Sequence, residues 1–272
     1  MGFFSWLFKR KPKKLKLGIA LGSGGAKGFA ELGVLRAFEE NGVAFDVVAG
    51  TSIGSLIGAF YADGYSSTDV YELIKKLNLG DIFSSPKKVN VNTAEILKRL
   101  VDKSIGGLDI EQLKKPYACV ATELETGEEK VFDKGNVAQA VSASCCIPPF
   151  FKPVFIDGQR YVDGAFSNSV PADVVKKMGA DYIVGVDLKD IEPQQEGLIN
   201  KIFPTYQGKV EEPWAKGYEY SDVVLHPDLR GFSSTSFLQG AQMYDIGYKT
   251  AIEAMPQIKR QISDLSLGKK KK

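Results

Sequence analysis

Two glycine-rich turns, each placed between an apolar run and a small-residue helical pattern, constrain this chain more than any other feature. Leu15 to Leu21 reads as a strand that ends in Gly22-Ser23-Gly24-Gly25-Ala26-Lys27-Gly28. A helical pattern follows from Ala26 to Glu40, with Phe29, Leu32, Leu35, Ala37 and Phe38 on one side, and Asn41-Gly42 stops it. Val43 to Ala49 repeats the strand, Gly50-Thr51-Ser52-Ile53-Gly54 repeats the turn, and Ile53 to Ala62 repeats the helix. Strand, turn and helix twice over predict a layered α/β domain.

The remaining pattern fits one such domain, because no internal repeat or linker interrupts it. Helices are expected over Thr68–Leu79, Thr93–Val101, Asn136–Ala143, Ala172–Met178 and Leu238–Ala254. Strands are expected over Tyr117–Leu124, Lys130–Phe132, Val154–Ile156, Arg160–Val162, Tyr182–Val186 and Val223–Leu225, with Asp157-Gly158 as a hairpin turn. Asp190 to Tyr218 is polar and reads as a surface excursion that borders a substrate entrance.

Charge divides the chain unevenly. The formal net charge is +2, yet residues 1–16 and 269–272 carry ten lysines and arginines and no acid, so residues 17–268 stand at −8. An acidic body argues against nucleic acid as the partner. In the first segment Phe3, Phe4, Trp6, Leu7 and Phe8 precede the basic run, which is the reverse of a signal peptide. That order suits an interfacial anchor on anionic lipid, with a solvated tail as the alternative. The 269–272 lysines read as a solvated basic tail. Apolar runs of about ten residues are too short to span a bilayer. Three cysteines without metal or disulfide spacing suit a reducing compartment, and one histidine makes a zinc site unexpected. The expected location is therefore cytoplasmic, at the inner face of the membrane, with no metal and no cofactor.

Gly50 to Gly54 matches the G-x-S-x-G nucleophile elbow, where a tight strand-to-helix turn projects a serine beyond the strand. A helix starting at Ile53 aims its positive dipole end at Ser52. Gly22 to Gly28 lacks the Gly-Lys-Ser/Thr of a P-loop and the third glycine of a dinucleotide loop. What remains is a run of N–H groups at a helix start, suited to holding an anion such as a tetrahedral oxyanion. Two bases are open to Ser52: His226, the single histidine, or a carboxylate acting directly, for which Asp163 before Gly164 ends a strand in a suitable place.

Taken together, these motifs resemble the patatin-like phospholipase family. Its members carry a glycine-rich oxyanion loop, a G-x-S-x-G serine and a D-G-A or D-G-G aspartate, in the order seen in Gly22–Gly28, Gly50–Gly54 and Asp163-Gly164-Ala165. Residues 142–151 look like the block before the family's aspartate, and the resemblance runs from Leu15 to Val186 with an echo in Gly240–Gly247. Ser23 and Lys27 depart from the family's G-G-G-x-R-G loop. The resemblance implies a three-layer α/β/α fold around a mostly parallel sheet, and a serine acyl hydrolase acting on phospholipids or lysophospholipids. It implies Ser52 as nucleophile, Asp163 as its base without histidine, and Gly24 and Gly25 as oxyanion donors. An acyltransferase, and a membrane-bound interaction protein with an inactive site, are the alternatives from other classes. The resulting organisation is a basic-aromatic membrane segment (1–16), a hydrolase domain (17–268) and a basic tail (269–272).

Overall fold

The computed structural model describes residues 12–76, 93–148, 151–189 and 214–269. Most of the basic-aromatic segment, residues 77–79 of the third expected helix, residues 190–213 of the expected excursion and Lys270 to Lys272 lie outside the described residues.

The first strand, β1 (Leu17–Leu21), leads through a single 3₁₀ turn (Gly25–Gly28) into α1 (Phe29–Glu40). β2 (Val47–Thr51) leads through Ser52 into α2 (Ile53–Ala62), followed by α3 (Ser67–Lys76) and α4 (Thr93–Ile105). β3 (Tyr117–Glu123), β4 (Glu129–Phe132), α5 (Val137–Ser144), β5 (Val154–Ile156) and β6 (Gln159–Asp163) come next. The chain closes with α6 (Ala172–Lys177), β7 (Tyr182–Val186), α7 (Ala215–Tyr220), β8 (Val223–Leu225) and α8 (Gly240–Ser266). Among the described residues the eight strands form one sheet in the order β5-β6-β3-β2-β1-β7-β8, with β4 paired to β3.

β3, β2, β1, β7 and β8 run parallel to one another, while β4 and β6 pair antiparallel to β3 and β5 pairs antiparallel to β6. Side chains alternate between the two faces, as a pleated strand demands. Ile19, Leu21, Val48, Cys119, Ala121, Val184 and Val186 join one buried cluster with α1, α2, α4, α5 and α8. Ala20, Val47, Ala49, Ala118, Val120 and Ile183 pack in the other cluster against Ala172, Val174 and Val175 of α6. Helices therefore cover both faces, and the three-layer expectation holds.

Of the boundaries that differ from the sequence reading, two have clear reasons. Val43 closes α1, its N–H donating to the Phe38 carbonyl, so β2 starts only after Asp46 N–H bonds the Leu17 carbonyl. The last helix does not stop at Ala254 but runs to Ser266 through Pro256. Pro256 faces solvent, where its missing N–H costs least, and Met255 and Ile258 continue the buried face. The hairpin expected at Asp157-Gly158 forms, with φ of 49° and 86° at the two residues as a type I′ turn requires.

β3 brings the two ends of the site together. Cys119 and Val120 pair with both β2 and β4, so these two strands occupy opposite edges of β3. Ala121 and Thr122 pair with both β4 and β6, so β6 takes the edge that β2 uses. β2 ends at the Thr51–Val120 rung and β6, running the other way, ends at the next rung, Asp163–Ala121. The C-terminal ends of β2 and β6 thus meet head to head.

Candidate active site

Ser52 is the first residue beyond β2, and Asp163 is the last of β6. The Ser52 hydroxyl donates to Asp163 Oδ2 at 2.6 Å, with both side chains buried. Ser52 sits at φ 55° and ψ −124°, a strained backbone for a non-glycine residue that costs on the order of 1–3 kcal/mol. Such a cost persists only where surrounding bonds hold the turn. Ser52 N–H donates to Ser144 Oγ at 2.9 Å, and the Ser144 hydroxyl donates to the Val120 carbonyl at 2.6 Å. On the other side, the Ser52 carbonyl accepts from Ser55 N–H at 2.9 Å and from the Ser55 hydroxyl at 2.6 Å.

Asp163 is held just as closely. Its N–H donates to the Cys146 carbonyl at 2.7 Å and its carbonyl accepts from Thr122 Oγ1 at 2.9 Å. Oδ1 accepts from Ala165 N–H at 2.9 Å, capping the short turn Gly164–Phe166. Burial pushes the Asp163 carboxyl up to about 7, against the lowering effect of the bonds from Ser52 and Ala165. A carboxylate so tuned can take a proton near neutral pH.

The glycine loop packs on this turn. A Cβ on Gly54 would lie 2.5 Å from the Leu21 carbonyl oxygen and 2.6 Å from that of Gly22, so only glycine lets loop and elbow close together. Gly25 has φ 58° and abuts the Ser234 backbone, which again excludes a side chain. Within the loop, Ser23 N–H donates to the Ser169 carbonyl at 3.0 Å and Ala26 N–H to the Ser234 carbonyl at 2.7 Å. Among the described residues nothing accepts from the N–H groups of Gly24 and Gly25 between them. Two such donors in the loop packed against the Ser52 turn suit an oxyanion.

Two residues at the site escaped the sequence reading. Ser144, which ties down the Ser52 amide, lay in the block matched by resemblance but had no role there. Glu31 of α1 is fully buried, and its Oε1 accepts from Gly22 N–H at 2.6 Å, which anchors the base of the loop. Burial pushes its carboxyl well above the usual range. A signal existed, since Glu31 shares a helix face with Val34, Leu35 and Phe38, where a carboxylate is out of place.

His226 stands elsewhere. It follows β8, with Nδ1 3.7 Å from Asp187 Oδ2, and that same oxygen accepts from the Tyr218 hydroxyl at 2.9 Å. Of the two bases open to Ser52, the structure joins Asp163. His226→Ala should therefore keep turnover of a soluble ester within about tenfold of the parent; a loss as large as that of Ser52→Ala would put histidine back into the mechanism. Among the described residues no group of His, Cys, Asp and Glu could hold a metal ion, and no helix is long and apolar enough to cross a membrane.

Comparison with known proteins shows what the chain is similar to. Over 86% of its length the chain is 28% identical to the mouse patatin-like phospholipase domain-containing protein 6. Over 93% it is 31% identical to the lysophospholipase nte1 of Aspergillus fumigatus. It spans only about a fifth of the length of these relatives, 20% and 19% respectively. In fold it is similar to VipD from Legionella pneumophila (TM-score 0.57, 16% identity), covering 90% of this chain and 68% of that one. The type III effector protein ExoU is similar too (TM-score 0.50, 16% identity), covering 91% and 54%. The model of the patatin-like phospholipase family matches residues 19–176, a stretch that begins inside β1, takes in the loop, the elbow and Asp163, and ends in α6. With more than half its length matched there, the chain belongs to the patatin-like phospholipase family.

Proposed function

We propose that this chain is a serine hydrolase that cleaves fatty-acyl esters of phospholipids or lysophospholipids through a Ser52–Asp163 dyad. The observation that carries the reading is the buried 2.6 Å bond from the Ser52 hydroxyl to a carboxylate poised near neutral pH. Ser52 Oγ attacks the acyl carbonyl while its proton passes to Asp163 Oδ2. The oxygen that gains charge accepts from Gly24 and Gly25 N–H. Collapse of the tetrahedral intermediate transfers the proton from Asp163 to the departing alcohol and leaves the acyl group on Ser52. Water then attacks the acyl-enzyme and loses a proton to Asp163; collapse of the second tetrahedral intermediate breaks the bond to Ser52 Oγ, which takes the proton back from Asp163, and the fatty acid leaves. No metal or cofactor enters this scheme.

The other motif residues are supports. Ser23, Ala26, Lys27 and Gly28 shape the loop, Gly50, Thr51, Ile53 and Gly54 shape the elbow, and Gly164 and Ala165 hold Asp163. The domain spans residues 17–268, and the basic-aromatic segment 1–16 associates with anionic lipid at the inner face of the membrane. Mass spectrometry of products from mixed phospholipids and lysophospholipids tests the reading. Free fatty acid should appear with the parent protein and vanish with Ser52→Ala; acyl groups recovered only on another lipid would instead identify a transferase.

A further inference from the structure

The dyad occupies one pole of the domain, and Lys13 and Ser266 meet at the other. β1 runs from Leu17 to Leu21 toward the glycine loop, and the Ser52 turn lies at the same end of the neighbouring parallel strand. α8 starts at that end, with Gly240 packed on the Phe29 ring. Its 27 residues carry it about 40 Å away, to Ser266. There the Ser266 carbonyl accepts from Lys13 N–H at 2.9 Å. The chain therefore enters the domain, and α8 ends, at the pole opposite Ser52.

That pole is basic. Lys13, Lys14, Lys16, Lys259 and Lys269 gather there, against Asp46, Asp181 and Asp264. Asp181 accepts from Lys13 Nζ and from Lys16 N–H, and Asp264 accepts from Lys269. Lys16 and Lys259 donate to neutral oxygens, of Met178 and Asn41, so their charge is not cancelled by those bonds. An open groove at this pole pairs apolar Leu15, Leu17, Val43 and Ile262 with Lys14 and Lys259. The sequence extends the same character on both sides: Lys9, Arg10 and Lys11 behind an aromatic cluster before Pro12, and three more lysines after Lys269. The rest of the chain is acidic. Charge and apolar residues combined in this way complement an anionic bilayer. Because the backbone is bonded to the body from Lys13 onward, lipid that engages this pole also fixes the domain's orientation.

We propose that the basic pole is the bilayer-docking face, which holds the dyad at the far end of β1 and β2, about 20 Å from the groove that meets the membrane. Resting on the acyl-hydrolase reading for what is cleaved, this means that substrate reaches Ser52 as lipid dispersed in water, not from the leaflet beneath. The opposite geometry has an obvious candidate contact, because Leu238 is fully exposed beside Phe237 at the dyad end.

The three cysteines are buried, so a single introduced cysteine can be labelled on the intact full-length chain. Ser263→Cys marks the basic pole and Leu238→Cys the dyad end, each carrying an environment-sensitive dye. On vesicles of phosphatidylcholine and phosphatidylglycerol doped with a nitroxide lipid, the dye at 263 should be quenched severalfold more than the dye at 238. Equal quenching, stronger quenching at 238, or no binding at low salt overturns the proposal. Lys14→Glu combined with Lys259→Glu should weaken vesicle binding about tenfold or more and leave turnover of a soluble ester unchanged. Unchanged binding by that variant also overturns it. Loss of all ester turnover in the parent protein would sink the hydrolase reading while leaving the docking result intact.

Discussion

Ser52→Ala and Asp163→Asn should each reduce kcat/KM on a soluble ester by roughly a thousandfold or more, and the double variant should be little worse than either. The two side chains share one proton along one 2.6 Å bond, so removing either removes the same step. In the proposed scheme the loop donors Gly24 and Gly25 remain in every variant and should supply the residual rate. The cycle needs only steady-state kinetics on the four proteins. Multiplicative losses, with the double variant about a millionfold down, would mean that the residues act independently.

Raising the pH should have opposite consequences for activity and stability. Burial raises the Asp163 carboxyl from 3.8 to about 7, and only the deprotonated form can take the serine proton. Activity on a soluble ester should therefore rise with pH through about 7, falling about tenfold per unit below it. The same shift makes the folded state hold its proton more tightly than the unfolded chain. Its contribution to stability is thus fully present below pH 4 and is lost as pH rises toward 7, by at most about 4 kcal/mol. Asp163→Asn removes the buried charge and keeps an oxygen for Ala165 N–H, while its amide can donate to Ser52. At pH 8 this inactive variant should be more stable than the parent by about 1–4 kcal/mol, and by little at pH 4. Denaturant melts at the two pH values check both halves. A variant less stable at pH 8 would show that the charge is not a burden on the fold.

What the sequence revealed follows from how local each signal is. The elbow at Ser52 was legible because strand, glycine turn and helix are contiguous, and the Asp157-Gly158 hairpin because its turn chemistry is dictated by two residues. The residues left Ser52 two bases, Asp163 and His226, and only the resemblance chose Asp163. Contact between Ser52 and Asp163 depends on β6 taking the edge of β3 that β2 vacates, and no periodicity encodes which edge a strand will join. Ser144 escaped notice because a buried serine at the end of an apolar helix looks like any small core residue until its partner, the Ser52 amide, is known. Glu31 escaped because a glutamate in a helix is normally solvated; only its place on the apolar face betrays it. The last helix runs past the expected Ala254 because Pro256 stands on a solvent-facing turn while the buried face continues through Met255 and Ile258.

If Asp163 alone activates Ser52, the rate of modification by a fluorophosphonate, followed by intact-protein mass spectrometry, should depend on Asp163 and not on His226. The parent protein should gain one adduct, located on Ser52 by peptide mapping. Asp163→Asn should react at least about a hundredfold more slowly, and His226→Ala at close to the parent rate. An Asp163→Asn variant that labels as fast as the parent, or a His226→Ala variant that fails to label, would contradict the dyad.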